Sequence, residues 1–146
     1  EALKGHVAAV LLGGPDAEHF VDELGHAGAD LIYTAIDADL TTYTTEAYAA
    51  TLTSALKLHQ PYAILLPATV NGRDLAARVA GRLSLGLTGD CIGLEVDDEG
   101  RLVQLKPAFG GNVVAPIFSK TVPYMATMRP GLLPPLDPKD DPIKHG

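Results

Sequence analysis

Three short, almost continuous apolar segments alternate with helical segments in the first half of the chain, and this alternation restricts the fold more than any other feature. The apolar segments are residues 6–13, 29–36 and 62–68. Strands that are apolar along their whole length are typical of parallel sheets with helices on both faces. The repeated order of strand and helix therefore predicts an α/β fold with a mostly parallel, Rossmann-type sheet.

The helical segments between these strands have recognisable ends. We predict helices over residues 16–27, 45–59 and 73–84, from the spacing of their apolar residues. Asp16 is the expected N-cap of the first helix, and Gly28 is placed to end it. The third helix would follow a turn formed by Thr-Val-Asn-Gly.

The pattern changes in the second half of the chain. Residues 91–96 and 101–109 predict an antiparallel hairpin whose acidic turn is residues 97–100, and two further apolar strands follow. Residues 133–146 are rich in proline and charge and lack periodicity. We therefore expect one domain over residues 1–132 and a linker or disordered tail over residues 133–146.

The overall charge argues against two classes of partner. Eleven basic residues stand against 18 acidic ones, which gives a net charge of −7. Nucleic-acid-binding domains normally carry a basic surface, so we expect no nucleic-acid partner. No apolar run approaches the ~20 residues of a membrane-spanning helix, so we expect no direct membrane insertion.

The residue types that carry chemistry do not form a catalytic pattern. The single cysteine, Cys91, excludes an internal disulfide and is expected to be a small, half-buried core thiol. The five histidines show no spacing typical of a metal site, so we expect no metal. No serine lies in a nucleophile motif. We therefore expect no enzymatic activity from this segment.

The turn between the third strand and the third helix is the best candidate for an anion or nucleotide site. Ligands of open α/β sheets bind at the carboxyl ends of strands, and free backbone amides at a helix start attract anions. The candidate residues are Thr69, Asn71, Gly72 and Arg73. The alternative is a purely structural joint, in which Asp74 offsets the charge of Arg73 and pairs with Arg78.

Several separated motifs in the chain form a recognisable set. They are residues 28–30, Ala68, Thr69, Gly72–Leu75, Arg78, Ala80, Arg82, Leu83, Gly86, Leu87, Asp90, Cys91, Pro107, Gly110, Gly111, Asn112 and "MATMRPG" at residues 125–131. Together they resemble the N-terminal domain of the electron transfer flavoprotein alpha subunit over nearly all of residues 7–133. Lys106 departs from the family's usual arginine, and the family's first strand is expected to lie upstream of residue 1.

The resemblance implies an α/β domain of the adenine-nucleotide-hydrolase type and a heterodimer with a beta subunit. FAD in this family sits chiefly in a C-terminal domain that is absent here, so no cofactor-binding residue is expected in this segment. Electrons would pass from dehydrogenases through FAD to a quinone oxidoreductase or another acceptor, in the cytoplasm or, in a eukaryote, the mitochondrial matrix. The expected interface residues are Arg73, Asp74, Gly110, Gly111 and Asn112.

The leading hypothesis is thus a scaffold and subunit-interface domain of an electron carrier. The alternative is a stand-alone adenine-nucleotide-binding module of the stress-protein type, for which the turn at residues 69–74 and the glycine-containing turn at residues 11–16 are the candidate phosphate contacts. A third possibility is an interaction domain of a complex unrelated to electron transfer.

Overall fold

The computed structural model describes Leu3, residues 5–138 and residues 144–145, and it has a mixed α/β fold. The described helices are α1 (Phe20–His26), α2 (Thr45–His59) and α3 (Val70–Leu83). Most strand pairs are parallel, and a separate antiparallel sheet is present. The predicted fold class is therefore confirmed.

The chain divides into two compact units, one built from residues 5–52 with part of the C-terminal segment and one from residues 53–133. In the 5–52 unit, β1 (Ala8–Gly13) and β2 (Leu31–Ile36) are parallel neighbours, and β9 (Lys144–His145) pairs with β2. The expectation that β1 is buried on both faces is wrong, because Ala8 and Val10 are exposed. Ala8 and Val10 are two residues apart and therefore point to the same face of the sheet, so this face of β1 is the exposed one within the described residues.

The connection from β1 to β2 also differs from its predicted form. A 3-10 helix, Pro15–His19, precedes α1, and its N-cap is Gly14 rather than Asp16. Proline is favoured in the first turn of a helix because it has no N–H to satisfy there, so Pro15 sets the start. Gly28 follows the end of α1 with a φ of +116°, as a helix-ending glycine should.

The 53–133 unit contains a parallel sheet that carries the candidate site. Its strands are β3 (Ala63–Pro67), β8 (Tyr124–Met128) and β4 (Leu87–Cys91), with β8 in the middle. All three run in the same direction. Their carboxyl ends, together with the start of α3, therefore lie along one edge of the sheet.

An antiparallel sheet completes the 53–133 unit. It consists of β5 (Gly93–Val96), β6 (Leu102–Ala108) and β7 (Val113–Phe118), in that order. Asp97 closes the β5–β6 turn by accepting hydrogen bonds from the backbone N–H groups of Glu99 and Arg101. The predicted hairpin and its acidic turn are confirmed.

The structure describes only part of the tail predicted over residues 133–146. Residues 139–143 and 146 lie outside the described residues, residues 134–138 have no helix or strand, and Lys144–His145 forms the short β9. The division of the chain at residue 132 stays a prediction. None of the described helices has the length and apolar character needed to cross a bilayer.

Candidate functional site

The joint between β3 and α3 is tighter than the sequence predicts. Helix α3 begins at Val70 rather than Arg73, because Thr69 is its N-cap and accepts a hydrogen bond from the Gly72 N–H at 3.1 Å. The Arg73 N–H donates to the Thr69 carbonyl at 2.9 Å. The residues expected to form an open turn are thus the first turn of a capped helix.

This capping bears on the anion-site candidates. Free N–H groups at a helix start are what attract an anion. Here the N–H groups of Gly72 and Arg73 already have acceptors within the chain. The local geometry therefore favours the structural joint, and ligand binding by Thr69, Asn71, Gly72 and Arg73 stays a prediction.

Arg73 contributes to a three-residue ionic cluster at the carboxyl edge of the parallel sheet. Its Nη2 lies 3.1 Å from Oδ1 of Asp90, at the end of β4. Arg129, just after β8, contacts the same carboxylate through Nη2 to Oδ2 at 2.5 Å and Nε to Oδ1 at 3.3 Å. We call these three residues the Asp90 cluster. It carries two guanidinium groups and one carboxylate, so its net charge is +1.

The backbone around Asp90 is shaped to present this carboxylate. Asp90 has a φ of +63°, and the pairing of β4 with β8 shifts register between Thr88 and Cys91. The Asp90 N–H donates to Oγ1 of Thr127 at 2.8 Å. Aspartate tolerates the left-handed region better than most residues, so the bulge can turn its side chain toward the arginines at modest strain.

Both arginines favour the ionised form of Asp90. The pKa of the Asp90 carboxyl lies below its usual value, mainly because Arg129 donates a hydrogen bond to it. The positive charges of Arg129 and Arg73 lower the pKa further, while partial burial acts in the opposite direction. The pKa of Arg129 is raised by the same hydrogen bond. The Asp90 cluster therefore ties α3, β4 and the end of β8 together while it stays charged at neutral pH.

Replacing Asp90 by asparagine is expected to destabilise the chain by about 1 kcal/mol at pH 7, in the range for partly exposed ion pairs. Asparagine also tolerates positive φ, so the variant changes mainly the charge. A carboxyl whose folded pKa is lowered stabilises above its unfolded pKa of about 3.9, and this stability is lost as the pH falls through the folded pKa. The loss of stability caused by Asp90→Asn should therefore become smaller in acid.

Urea unfolding of the Asp90→Asn variant at pH 7 and at about pH 3 checks this expectation. Asp98→Asn is the matched control, because Asp98 is an exposed carboxylate in the β5–β6 turn. The control should show no comparable deficit. A deficit in Asp90→Asn that is the same at both pH values would contradict the ionic account.

The other candidate residues lie on two elements of the same unit. Arg73 and Asp74 are exposed on the first turns of α3. Gly110, Gly111 and Asn112 form the connection between β6 and β7, where both glycines have positive φ. Their role as interface residues stays a prediction.

Cys91 is a core thiol as predicted, but it is fully buried rather than half-buried. Burial raises the pKa of this thiol, and the charge of Lys106 opposes that effect. Among the described residues, no three His, Cys, Asp or Glu side chains come together as a metal site would require.

Sequence reasoning missed the partner of Arg73. Asp90 and Arg129 both belong to the motifs identified in the sequence, but neither was predicted to lie near Arg73. The signal that could have found them is positional, since each lies at the carboxyl end of a strand and parallel strands end at a common edge.

Comparison with known proteins gives a consistent set of relatives. Residues 1–144 match the family described as "Electron transfer flavoprotein domain". The chain is 45% identical over 129 residues to the electron transfer flavoprotein subunit alpha of Thermoanaerobacterium thermosaccharolyticum, with 88% of this chain and 39% of the relative covered. It is 41% identical over 146 residues to protein FixB of Azorhizobium caulinodans, with coverages of 98% and 40%.

A third relative has a more specific name. The chain is 40% identical over 129 residues to subunit LctC of the lactate dehydrogenase (NAD(+),ferredoxin) of Acetobacterium woodii, with 88% of this chain and 31% of the relative covered. The chain thus spans 31–40% of the length of these three curated relatives.

Proposed function

Since the chain belongs to the electron transfer flavoprotein family, as the N-terminal domain of an alpha subunit, we propose that it is the scaffold and subunit-interface domain of a longer electron carrier. The complete protein would pair with a beta subunit and carry electrons on FAD from a dehydrogenase to a quinone oxidoreductase or another acceptor. The name of the Acetobacterium woodii relative supports a dehydrogenase as the donor. The compartment we propose is the cytoplasm, or the mitochondrial matrix in a eukaryote.

The observation that carries the scaffold role is that the Gly72 N–H and the Arg73 guanidinium, at the β3–α3 joint, already have partners within the chain. This is where open α/β sheets bind their ligands. Here the N–H of Gly72 is taken by Thr69, and the guanidinium of Arg73 is taken by Asp90. Two of the polar groups that a nucleotide phosphate could use are thus engaged within the chain.

The same observation tests whether the described residues fit FAD. The cofactor carries a pyrophosphate, which needs free backbone N–H groups or unpaired cations. The donors of Gly72 and Arg73 at the sheet edge have acceptors in the chain. The engagement of these two donors supports our proposal that the FAD lies outside this segment.

We also propose that Arg73 and Asp74 on α3, and Gly110, Gly111 and Asn112 on the hairpin, belong to the surface that meets the beta subunit. All five are exposed. Gly110 and Gly111 have no side chain, so another backbone can approach them closely.

Flavin content distinguishes this proposal from the alternatives. We expect residues 1–146 to purify without flavin, while the full-length alpha subunit co-expressed with its beta subunit shows the visible flavin absorption band. Stoichiometric flavin on the segment alone would contradict the proposal. Calorimetric titration of the segment with AMP and ATP is the second measurement, and heat of binding would favour the nucleotide-binding module instead.

A further inference from the structure

The tip of the β6–β7 hairpin holds a large aromatic residue on a strained backbone. Residues 109–112 connect the two strands, because Ala108 pairs with Val113. Phe109, Gly110 and Gly111 have φ values of +50°, +68° and +92°. Hairpin loops that need positive φ usually place glycine, asparagine or aspartate there, because a bulky side chain is crowded in this region. Phe109 is therefore an unfavourable local choice.

Contacts of the Phe109 ring within the described part of the chain do little to offset the backbone strain. Phe109 is 84% exposed, so its ring buries almost no apolar surface within the described part of the protein. Residues in sparsely populated backbone conformations persist where the surrounding structure or a function requires them. Because the loop could hold asparagine at this position with less strain and the same exposure, the ring points to a use outside the chain.

The segment of chain around Phe109 is apolar and contains no charged residue. Val113 and Val114 are 49% and 46% exposed, and because they are consecutive in β7 they face opposite sides of the sheet. Residues 107–119 contain no charged residue, in a chain that is 20% charged. The opposite end of the same sheet is the acidic turn at residues 97–100.

This composition is typical of the centre of a protein interface. Interface cores are depleted of charged residues and enriched in aromatic ones, and a few aromatic side chains in well-packed pockets supply most of the binding energy.

We propose that Phe109 is the hydrophobic anchor that inserts into an apolar pocket of the partner subunit. This inference rests on the proposed function, which places Gly110, Gly111 and Asn112 at the subunit interface but gives Phe109 no role. We propose that the pocket belongs to a second polypeptide chain, because two of the relatives are named as subunits. Val113 and Val114 would line the rim of the contact.

The test uses the full-length alpha subunit and its beta subunit. In Phe109→Asn the ring is removed, while asparagine tolerates the positive φ. We expect the dissociation constant of the two subunits to rise about 30-fold, the change typical of losing a binding hot spot. The melting temperature of the alpha subunit alone should stay the same or rise, because strain is relieved. Phe109→Gly should behave in the same way.

Leu58→Ala is the matched control, because Leu58 is an equally apolar side chain that is 76% exposed on α2. It should leave the dissociation constant unchanged. An unchanged constant in Phe109→Asn overturns the anchor, and so does a lower melting temperature of the isolated alpha subunit, which would place the ring against its own chain. Failure of the wild-type subunits to associate would instead overturn the proposed function, and the anchor with it.

Discussion

Replacing Gly72 by alanine is expected to lower the free energy of unfolding by about 3 kcal/mol or more, as severe overpacking does. A Cβ at this position would lie 2.0 Å from the carbonyl oxygen of Pro67 and 3.1 Å from Oγ1 of Thr69. The nearest obstacle is backbone, so α3 or the end of β3 must shift. Urea unfolding of the wild type and the variant measures the change.

The sign of this effect is informative, because alanine normally stabilises a helix by roughly 0.5–1 kcal/mol relative to glycine. Gly81 lies on the same helix and has open space around its Cβ position. Gly81→Ala is therefore the matched control and should stabilise the chain. If Gly72→Ala stabilises it as well, the close approach of α3 to β3 is wrong.

The requirement for glycine at position 72 changes how its motif is understood. In the sequence, Gly72 suggested a backbone that a phosphate could approach. In the structure, the close approach is made by the Pro67 carbonyl of the preceding strand. The same small residue thus serves the packing of strand against helix, a role that glycine also has in dinucleotide-binding folds.

The sequence predicted the elements whose signals are local. The apolar runs that became β2 and β3, the periodic residues of α2, and the acidic turn of the β5–β6 hairpin were all assigned correctly. Each of these features depends on residues that are close together in the chain. The periodicity of apolar residues and the types of residue in turns therefore predict such features directly from the sequence.

The features that the sequence did not predict depend on contacts between distant residues. The place of β8 between β3 and β4 is a matter of strand order, which no local pattern contains. The Asp90 cluster joins residues 17 and 39 positions apart. The start of α3 was missed for a different reason, since Thr69 was assigned to a turn although it is a good N-cap.

The two sheets of the 53–133 unit are joined by a buried polar contact that was also invisible in the sequence. Gln104 on β6 is 0% exposed. Its Oε1 accepts a hydrogen bond from the Thr88 hydroxyl on β4, and its Nε2 lies 3.5 Å from the Met125 carbonyl on β8. One amide side chain of the antiparallel sheet therefore reaches two strands of the parallel sheet.

Truncating Gln104 to alanine is expected to lower the free energy of unfolding by about 3 kcal/mol. The change leaves a cavity in a closely packed region and removes the acceptor of a buried hydroxyl, and both effects destabilise. Chemical unfolding of the chain measures the loss. The size of the loss alone does not separate the cavity from the missing hydrogen bond, so a second pair of variants is needed.

A double-mutant cycle of Gln104→Leu and Thr88→Val separates the two effects. Gln104→Leu roughly keeps the volume but leaves the Thr88 hydroxyl buried without this acceptor, at a cost of about 1–3 kcal/mol. Adding Thr88→Val removes the hydroxyl as well, and replacing both partners by apolar groups of similar shape can be nearly neutral. We therefore expect the double variant to be more stable than the sum of the single changes predicts. Strict additivity would show that the Gln104–Thr88 hydrogen bond does not hold the sheets together.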